Sequence, residues 1–280
     1  MRILVTNDDG IDSQGLHVLA RAVAAHGDVT VIAPDREFSG ASASLGVLNE
    51  MRTEVHKVPL EGVKEAWAVG GPPALCVLFA NLGVFGPPFD MVVAGINPGV
   101  NVGRSIYHSG TVGAALTARA RGVPAVAVSQ AVEGYGIEGP GWDDMLKGVQ
   151  WETAAAVAQA VVGALAAHPV PAPLLVNLNV PNVELSALEG WQRTSIGRVP
   201  PRVIADARLE PIEGRSGAFK VVMEWGDAVS LPENTDGGAV ERNLVSLTLL
   251  GQLTDVDTDS DRSAELAAYP AVAAALDSLI

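Results

Sequence analysis

Cysteine is nearly absent from this chain. Cys76 is the only one, so no intrachain disulfide framework exists. It lies in the apolar run Leu75–Ala80 and reads as a buried structural thiol. Aromatic residues make up only 5% of the sequence, which excludes a core built on large stacked rings. Positive charge is scarce too: 18 Lys and Arg against 32 Asp and Glu leave a formal net charge of −14. That balance argues against nucleic-acid binding, which needs basic faces to neutralise phosphates. No uninterrupted apolar run approaches the ~18 residues of a membrane span. Nor does a basic segment followed by a long apolar one precede the first strand pattern. The expectation is a soluble cytoplasmic protein with neither a nucleic-acid polymer nor a membrane as partner.

What is abundant is small and apolar. Hydrophobic residues account for 48% of 280 positions and charged ones for 18%, which excludes a disordered chain. Ala, Val, Gly and Leu suit helices packed closely on a parallel sheet. The length allows one large domain or two small ones.

The pattern along the chain agrees. Residues 2–6 are a short β-branched run that stops at Asn7-Asp8-Asp9-Gly10. Leu16, Leu19, Ala20 and Val23 form a helical stripe within 13–25, and 29–33 reads as a second strand. Strand, helix and strand within about 35 residues make a βαβ unit. Further helices are expected over 74–82, 111–121 and 151–167, with strands over 91–94, 125–129 and 174–178. These apolar strands alternate with helices, so the expected class is α/β, a doubly wound, Rossmann-like and mostly parallel sheet. Beyond about residue 190 shorter strands (193–198, 203–208, 219–225) are separated by turns and read as hairpins. Another strand is expected at 244–248 and an apolar helix at 264–280. Residues 1–190 are thus read as an α/β core carrying the site. Residues 191–280 are read as a β-rich region, suited to oligomerisation, and a terminal helix integrated with that core.

In an open parallel sheet, ligands bind beyond the carboxyl ends of the strands, where strand order switches. The residues following each strand are therefore the candidates. After the first come Asp8 and Asp9; after the second, Asp35 and Ser39-Gly40; after 91–94, Asn97 and Asn101; then Ser109-Gly110-Thr111 opens a helix. Two carboxylates, an amide and a hydroxyl form a hard-oxygen set, suited to Mg²⁺ or Mn²⁺ rather than zinc. Adjacent Asp8 and Asp9 repel one another unless a cation lies beside them. The plainer alternative is a turn with a helix N-cap. Ser109, Gly110 and Thr111 resemble an anion cradle at a helix start, though an N-cap with Gly for tight packing gives the same pattern. No Walker A loop is present. His108 is the histidine placed to give a proton to a leaving alkoxide. Asp255, Asp257, Asp259 and Asp261 alternate like a calcium loop but lack its turn Gly and closing Glu, so they read as a solvated acidic loop.

At these motifs the chain resembles the SurE family, stationary-phase survival proteins that act as nucleotidases. The resemblance rests on Val5–Ile11, on Ala33–Arg36 with Ser39-Gly40, on the Gly95–Gly103 loop and on Ser109–Ala115. Weaker echoes follow at Asn177–Pro181, Thr235-Asp236 and Val245–Thr248. It implies metal ligands at Asp8, Asp9, Ser39 and Asn97, and phosphate contacts at Ser109, Gly110 and Thr111 with Asn101 nearby. It implies hydrolysis of nucleoside 5′- or 3′-monophosphates, in some members short polyphosphate, by a homodimer or homotetramer. The chain departs from the family pattern at Pro72 and Leu75 in Gly71–Val77, and at Phe38, Ala94, His108 and Leu249. Two rivals are weighed against this. A haloacid-dehalogenase-type phosphatase needs a second Asp two residues after the first, where Gly10 stands. A non-catalytic nucleotide-binding or signalling module would follow if the altered 71–77 segment abolished turnover.

Overall fold

Buried apolar runs of five to eight residues make the central strands of this protein. The structure, a computed structural model, describes residues 1–46, 53–133, 142–168, 173–199, 204–227 and 229–251. The expected terminal helix and the acidic 254–263 loop lie outside them. The strands are β1 (Arg2–Thr6), β2 (Asp28–Pro34), β3 (Val55–Val58), β4 (Glu65–Val69), β5 (Met91–Pro98), β6 (Ala125–Gln130), β7 (Leu175–Val180), β8 (Gly190–Arg193), β9 (Ile204–Pro211), β10 (Phe219–Trp225) and β11 (Leu244–Leu249). The helices are α1 (Gln14–Val23), α2 (Pro73–Asn81), α3 (Gly110–Ala120), α4 (Trp142–Leu146), α5 (Trp151–Ala167) and α6 (Asp236–Glu241).

Nine strands form one sheet in the order β3-β4-β2-β1-β5-β6-β7-β11-β8. From β4 to β7 every neighbouring pair is parallel. β3 and β11 run antiparallel to their inner neighbours, and β8 pairs parallel with β11. From β1 the chain builds outward through β2 and β4, then returns to place β5 on the other side of β1. The crevice between β1 and β5 is therefore the switch point where a ligand is expected.

Side chains alternate across the sheet, and two cores result. Ile3, Val5, Met91 and Val93 face α1 and α5, while Leu4, Val92 and Ala94 face α2 and α3. Small residues let the helices sit close: α3 buries Ala114, Ala115 and Ala118, and α5 buries Ala154, Ala155 and Ala158. Cys76 is buried in the second core, and desolvation pushes its thiol far up, which leaves it an inert packing residue. Met1–Leu250 forms one compact unit; of the second, Gly251–Ile280, only Gly251 lies within the described residues.

Several elements differ from the sequence reading, α4 and α6 among them, which were not expected. β3 and β4 were not expected: β3 is short and exposed at the sheet edge, and β4 carries alanines where strands usually carry branched residues. The strand expected over 193–198 instead covers Gly190–Arg193 and belongs to the main sheet, because Gly190 to Arg193 pair with Leu244 to Leu247. β9 and β10 do form the expected hairpin, a separate antiparallel pair. One face of it is apolar (Leu209, Phe219, Val221 and Met223, all at least half exposed). The other carries Arg208 paired with Glu224, and Lys220 paired with Glu210.

Asp236, at the start of α6, ties the C-terminal strands to the loop after β5. Its side chain is 1% exposed and has no cationic partner among the described residues. It instead accepts three backbone N–H groups: Gly103 at 2.8 Å, Gly197 at 2.9 Å and its neighbour Gly237 at 2.9 Å. Three donors converging on one carboxylate satisfy a buried charge without a counter-ion. The same loop is anchored at Asn101, whose N–H donates to Asn179 Oδ1 at 2.7 Å and whose carbonyl accepts from Asn177 and Asn179. Asp236→Asn should turn one acceptor into a donor facing a backbone N–H. Urea unfolding should then show a loss of about 1–3 kcal/mol; an unchanged midpoint would mean that Asp236 does not anchor the loop.

Candidate metal and phosphate site

β1 ends at Thr6, and the chain turns through Asn7, Asp8, Asp9 and Gly10 before Ser13 caps α1. The Ser13 hydroxyl accepts the Leu16 N–H at 3.3 Å, so the cap belongs to Ser13 and neither aspartate performs it. The turn is held by Asn7 Nδ2, which donates to the Gly10 carbonyl at 3.0 Å and to Ser13 Oγ at 2.7 Å. Gly10 has φ +103°, and a Cβ there would press on the Arg36 backbone at 3.2 Å. This is how the loop after β2 reaches the same place, with Phe38 N–H donating to the Asp8 carbonyl at 2.7 Å.

Asp8 is 2% exposed. Thr111 Oγ1 donates to Asp8 Oδ1 from the first turn of α3. Gly110 admits this approach, since a Cβ on it would stand 2.7 Å from Asp8 Oδ2. Burial raises the Asp8 carboxyl above its ordinary range, opposed by the Thr111 hydroxyl and nearby N–H groups. Asp9 is raised well above its own range, first by burial and then by the charges of Asp8 and Glu37. Its Oδ2 is buried with no hydrogen-bond partner among the described residues. Desolvating a carboxylate costs several kcal/mol, far more than one hydroxyl returns.

Asn97 completes the arrangement at the end of β5. Its Nδ2 donates to the Gly99 carbonyl at 2.6 Å, which turns Oδ1 toward Thr111 Oγ1 at 3.3 Å. A hydroxyl has one proton, and Asp8 holds the closer contact, so Asn97 Oδ1 is left an acceptor without a strong donor. Several electron-rich oxygens thus converge with too few protons between them. That is the donor set of a hard divalent cation. Among the described residues no group of three His, Cys, Asp or Glu side chains is arranged to hold a metal.

A cavity of about 530 Å³ opens over these groups, lined by Asp8, Asp9, Ser39, Asn97, Asn101, His108 and Ser109. Seven of the nine residues chosen from sequence therefore share one space. Gly110 and Thr111 stand behind Asp8 and do not line it. Ser109 caps α3 by accepting the Val112 N–H at 3.1 Å, and its own hydroxyl proton remains available. His108 is exposed at the rim, and its carbonyl accepts the Ser42 N–H at 3.2 Å. Asn101 gives one amide hydrogen to Ser129 Oγ at 2.8 Å.

Sequence reasoning passed over Glu37 and Ser105, which also line the cavity. Glu37 was discoverable, because it sits between Asp35 and Ser39 in a loop already singled out. The altered segment Gly71–Val77 forms the start of α2, with Pro72 at the N-cap and Leu75 in the core, and does not line the cavity.

The sequence matches the family model described as survival protein SurE over residues 3–201. It is 36% identical to the 5′-nucleotidase SurE of Aeromonas hydrophila, over 89% of this chain and 92% of that one. The corresponding protein of Legionella pneumophila (strain Paris) is 35% identical, over 89% and 90%. The crystal structure of the SurE protein from Aquifex aeolicus superposes with a TM-score of 0.73 at 26% identity, covering 96% of this chain and 99% of that one. By the match over residues 3–201 and the identity to these relatives, the chain belongs to the SurE family.

Proposed function

We infer that this protein is a phosphoric-monoester hydrolase that releases phosphate from nucleoside monophosphates, 5′ esters foremost. The relatives named 5′-nucleotidase SurE support the activity. The observation that carries the reading is the desolvated pair Asp8 and Asp9 in a cavity with no Lys or Arg on its walls among the described residues. Three carboxylates with no positive side chain would repel a phosphate ester. A divalent cation, Mg²⁺ or Mn²⁺, reverses that sign, and Asp8, Asp9, Asn97 Oδ1 and Ser39 are the groups to hold it.

When bound, such an ion supplies Lewis-acid polarisation of a phosphoryl oxygen and a more acidic water. Asp8, braced by Thr111, would orient an attacking water and accept its proton. The water oxygen bonds to phosphorus as the ester oxygen leaves, and His108 gives the departing alkoxide a proton. Ser109 Oγ–H and N–H groups near the α3 start donate to the phosphoryl oxygens. Asn101 serves chiefly by fixing the loop that carries His108 and Ser109.

No helix among the described residues is long and apolar enough to cross a membrane. A cytoplasmic location accords with that and with a single buried thiol. The apolar face of the β9–β10 hairpin supports assembly into a homodimer or homotetramer, where a second copy covers it.

Asp8→Asn should lower kcat for AMP with Mn²⁺ by at least about 100-fold; activity near wild type would remove Asp8 from the chemistry. His108→Ala should lower kcat by a smaller factor, about 10- to 100-fold, and less for a phenyl ester, whose leaving group needs no proton. Adding Mn²⁺ should raise the thermal midpoint of the wild type by several degrees at pH 7.5 and by less at pH 5. The sign follows because both carboxyls are raised: the protonated apo form is favoured at low pH, and ionising the pair as pH rises destabilises it until a cation binds. Asp9→Asn should abolish the Mn²⁺ shift.

A further inference from the structure

A second cavity, of about 240 Å³, opens beside the first and shares Asp9, Glu37 and Pro98 with it. Its character is different. The remaining walls are largely apolar, formed by Ile96, Leu146 and Trp151, with Gln14 at the rim. Trp151 is the first residue of α5 and is 7% exposed, so it presents part of its ring rather than a free face. The absence of a side chain at Gly15 holds the ring there, since a Cβ would stand 2.8 Å from it. Gln14 is exposed, and among the described residues its amide makes no hydrogen bond.

We propose that this second cavity receives the base of the nucleotide, and that Glu37, on the shared wall, accepts hydrogen bonds from the ribose hydroxyls. The proposal rests on the phosphohydrolase reading, which fixes the phosphate at Asp8 and Asp9 and leaves the organic half of the ester to be placed. An apolar slot with one aromatic edge suits a flat, weakly hydrated ring. It does not suit an open sugar chain, whose hydroxyls would find too few partners. The carboxylates of Asp9 and Glu37 at its mouth also disfavour further phosphates, so a monophosphate fits and a di- or triphosphate does not. The Gln14 amide offers a donor and an acceptor to the ring edge.

The test compares AMP with ribose 5-phosphate, which carries the same phosphate and sugar without the base, on the Mn²⁺-loaded enzyme. The wild type should show a KM for AMP at least about tenfold lower. Leu146→Trp, which fills the cavity from α4, should erase that difference while kcat/KM for ribose 5-phosphate stays within about twofold. Gln14→Ala, an exposed change at the start of α1, should raise the KM for AMP alone and stands in if Leu146→Trp does not fold. Equal KM values for the two esters in the wild type, or equal losses for both in the variants, would overturn the base site and leave the phosphohydrolase intact. If the wild type hydrolyses neither ester, the activity itself is wrong and the base site falls with it.

Discussion

The contact between Thr111 and Asp8 is where the sheet, the helices and the cavity meet. Thr111 lies in the first turn of α3 and Asp8 two residues past the end of β1, so their hydrogen bond pins a helix start against a strand end. It depends on Gly110 lacking a side chain and on the switch in strand order that sets β5 beside β1. It also creates the site's unbalanced charge. With the Thr111 proton taken by Asp8, neither Asn97 Oδ1 nor Asp9 Oδ2 has a strong donor. Burial makes that shortage costly, and a cation is the economical remedy.

Around this contact the protein spends its polar side chains on holding loops. Asn177 and Asn179 lie fully buried within β7, a place where a strand usually carries apolar residues. They point their amides at Asn101, while Asp236 gathers the N–H groups of three glycines. The loop from Gly99 to Ser109 is therefore fixed from β6, from β7 and from α6 together. A loop proposed to carry a proton donor, His108, and a phosphate contact, Ser109, gains from such bracing, because small displacements are costly to the chemistry. The asparagines that looked like faint echoes in the sequence are the struts of this loop.

Much of the fold was legible because its signals are local. The run Arg2–Thr6 followed by Asn-Asp-Asp-Gly marks a strand end with no help from distant residues, and the alanine-rich α5 repeats its stripe over 17 residues. What was hidden depends on partners. β3 is short, exposed and partly charged, and becomes a strand only by pairing with β4. β5 continues through Gly95 to Pro98, where the composition reads as a loop, because Asn97 and Pro98 still pair with Ser129 and Gln130. In the site, residue types and order sufficed to bring Asp8, Asp9, Ser39 and Asn97 together along one cavity. They did not reveal that Thr111 braces Asp8 from behind, since that is a matter of where one hydroxyl proton goes.

The claim on which the account turns is that one divalent cation sits between Asp8 and Asp9. Anomalous scattering at the manganese edge, from a crystal of this protein grown with Mn²⁺, addresses it without reference to turnover. The account requires a single strong peak within coordination distance of the Asp8 and Asp9 carboxylates and of Asn97 Oδ1. A map with no peak there, or with manganese bound only elsewhere, would contradict it.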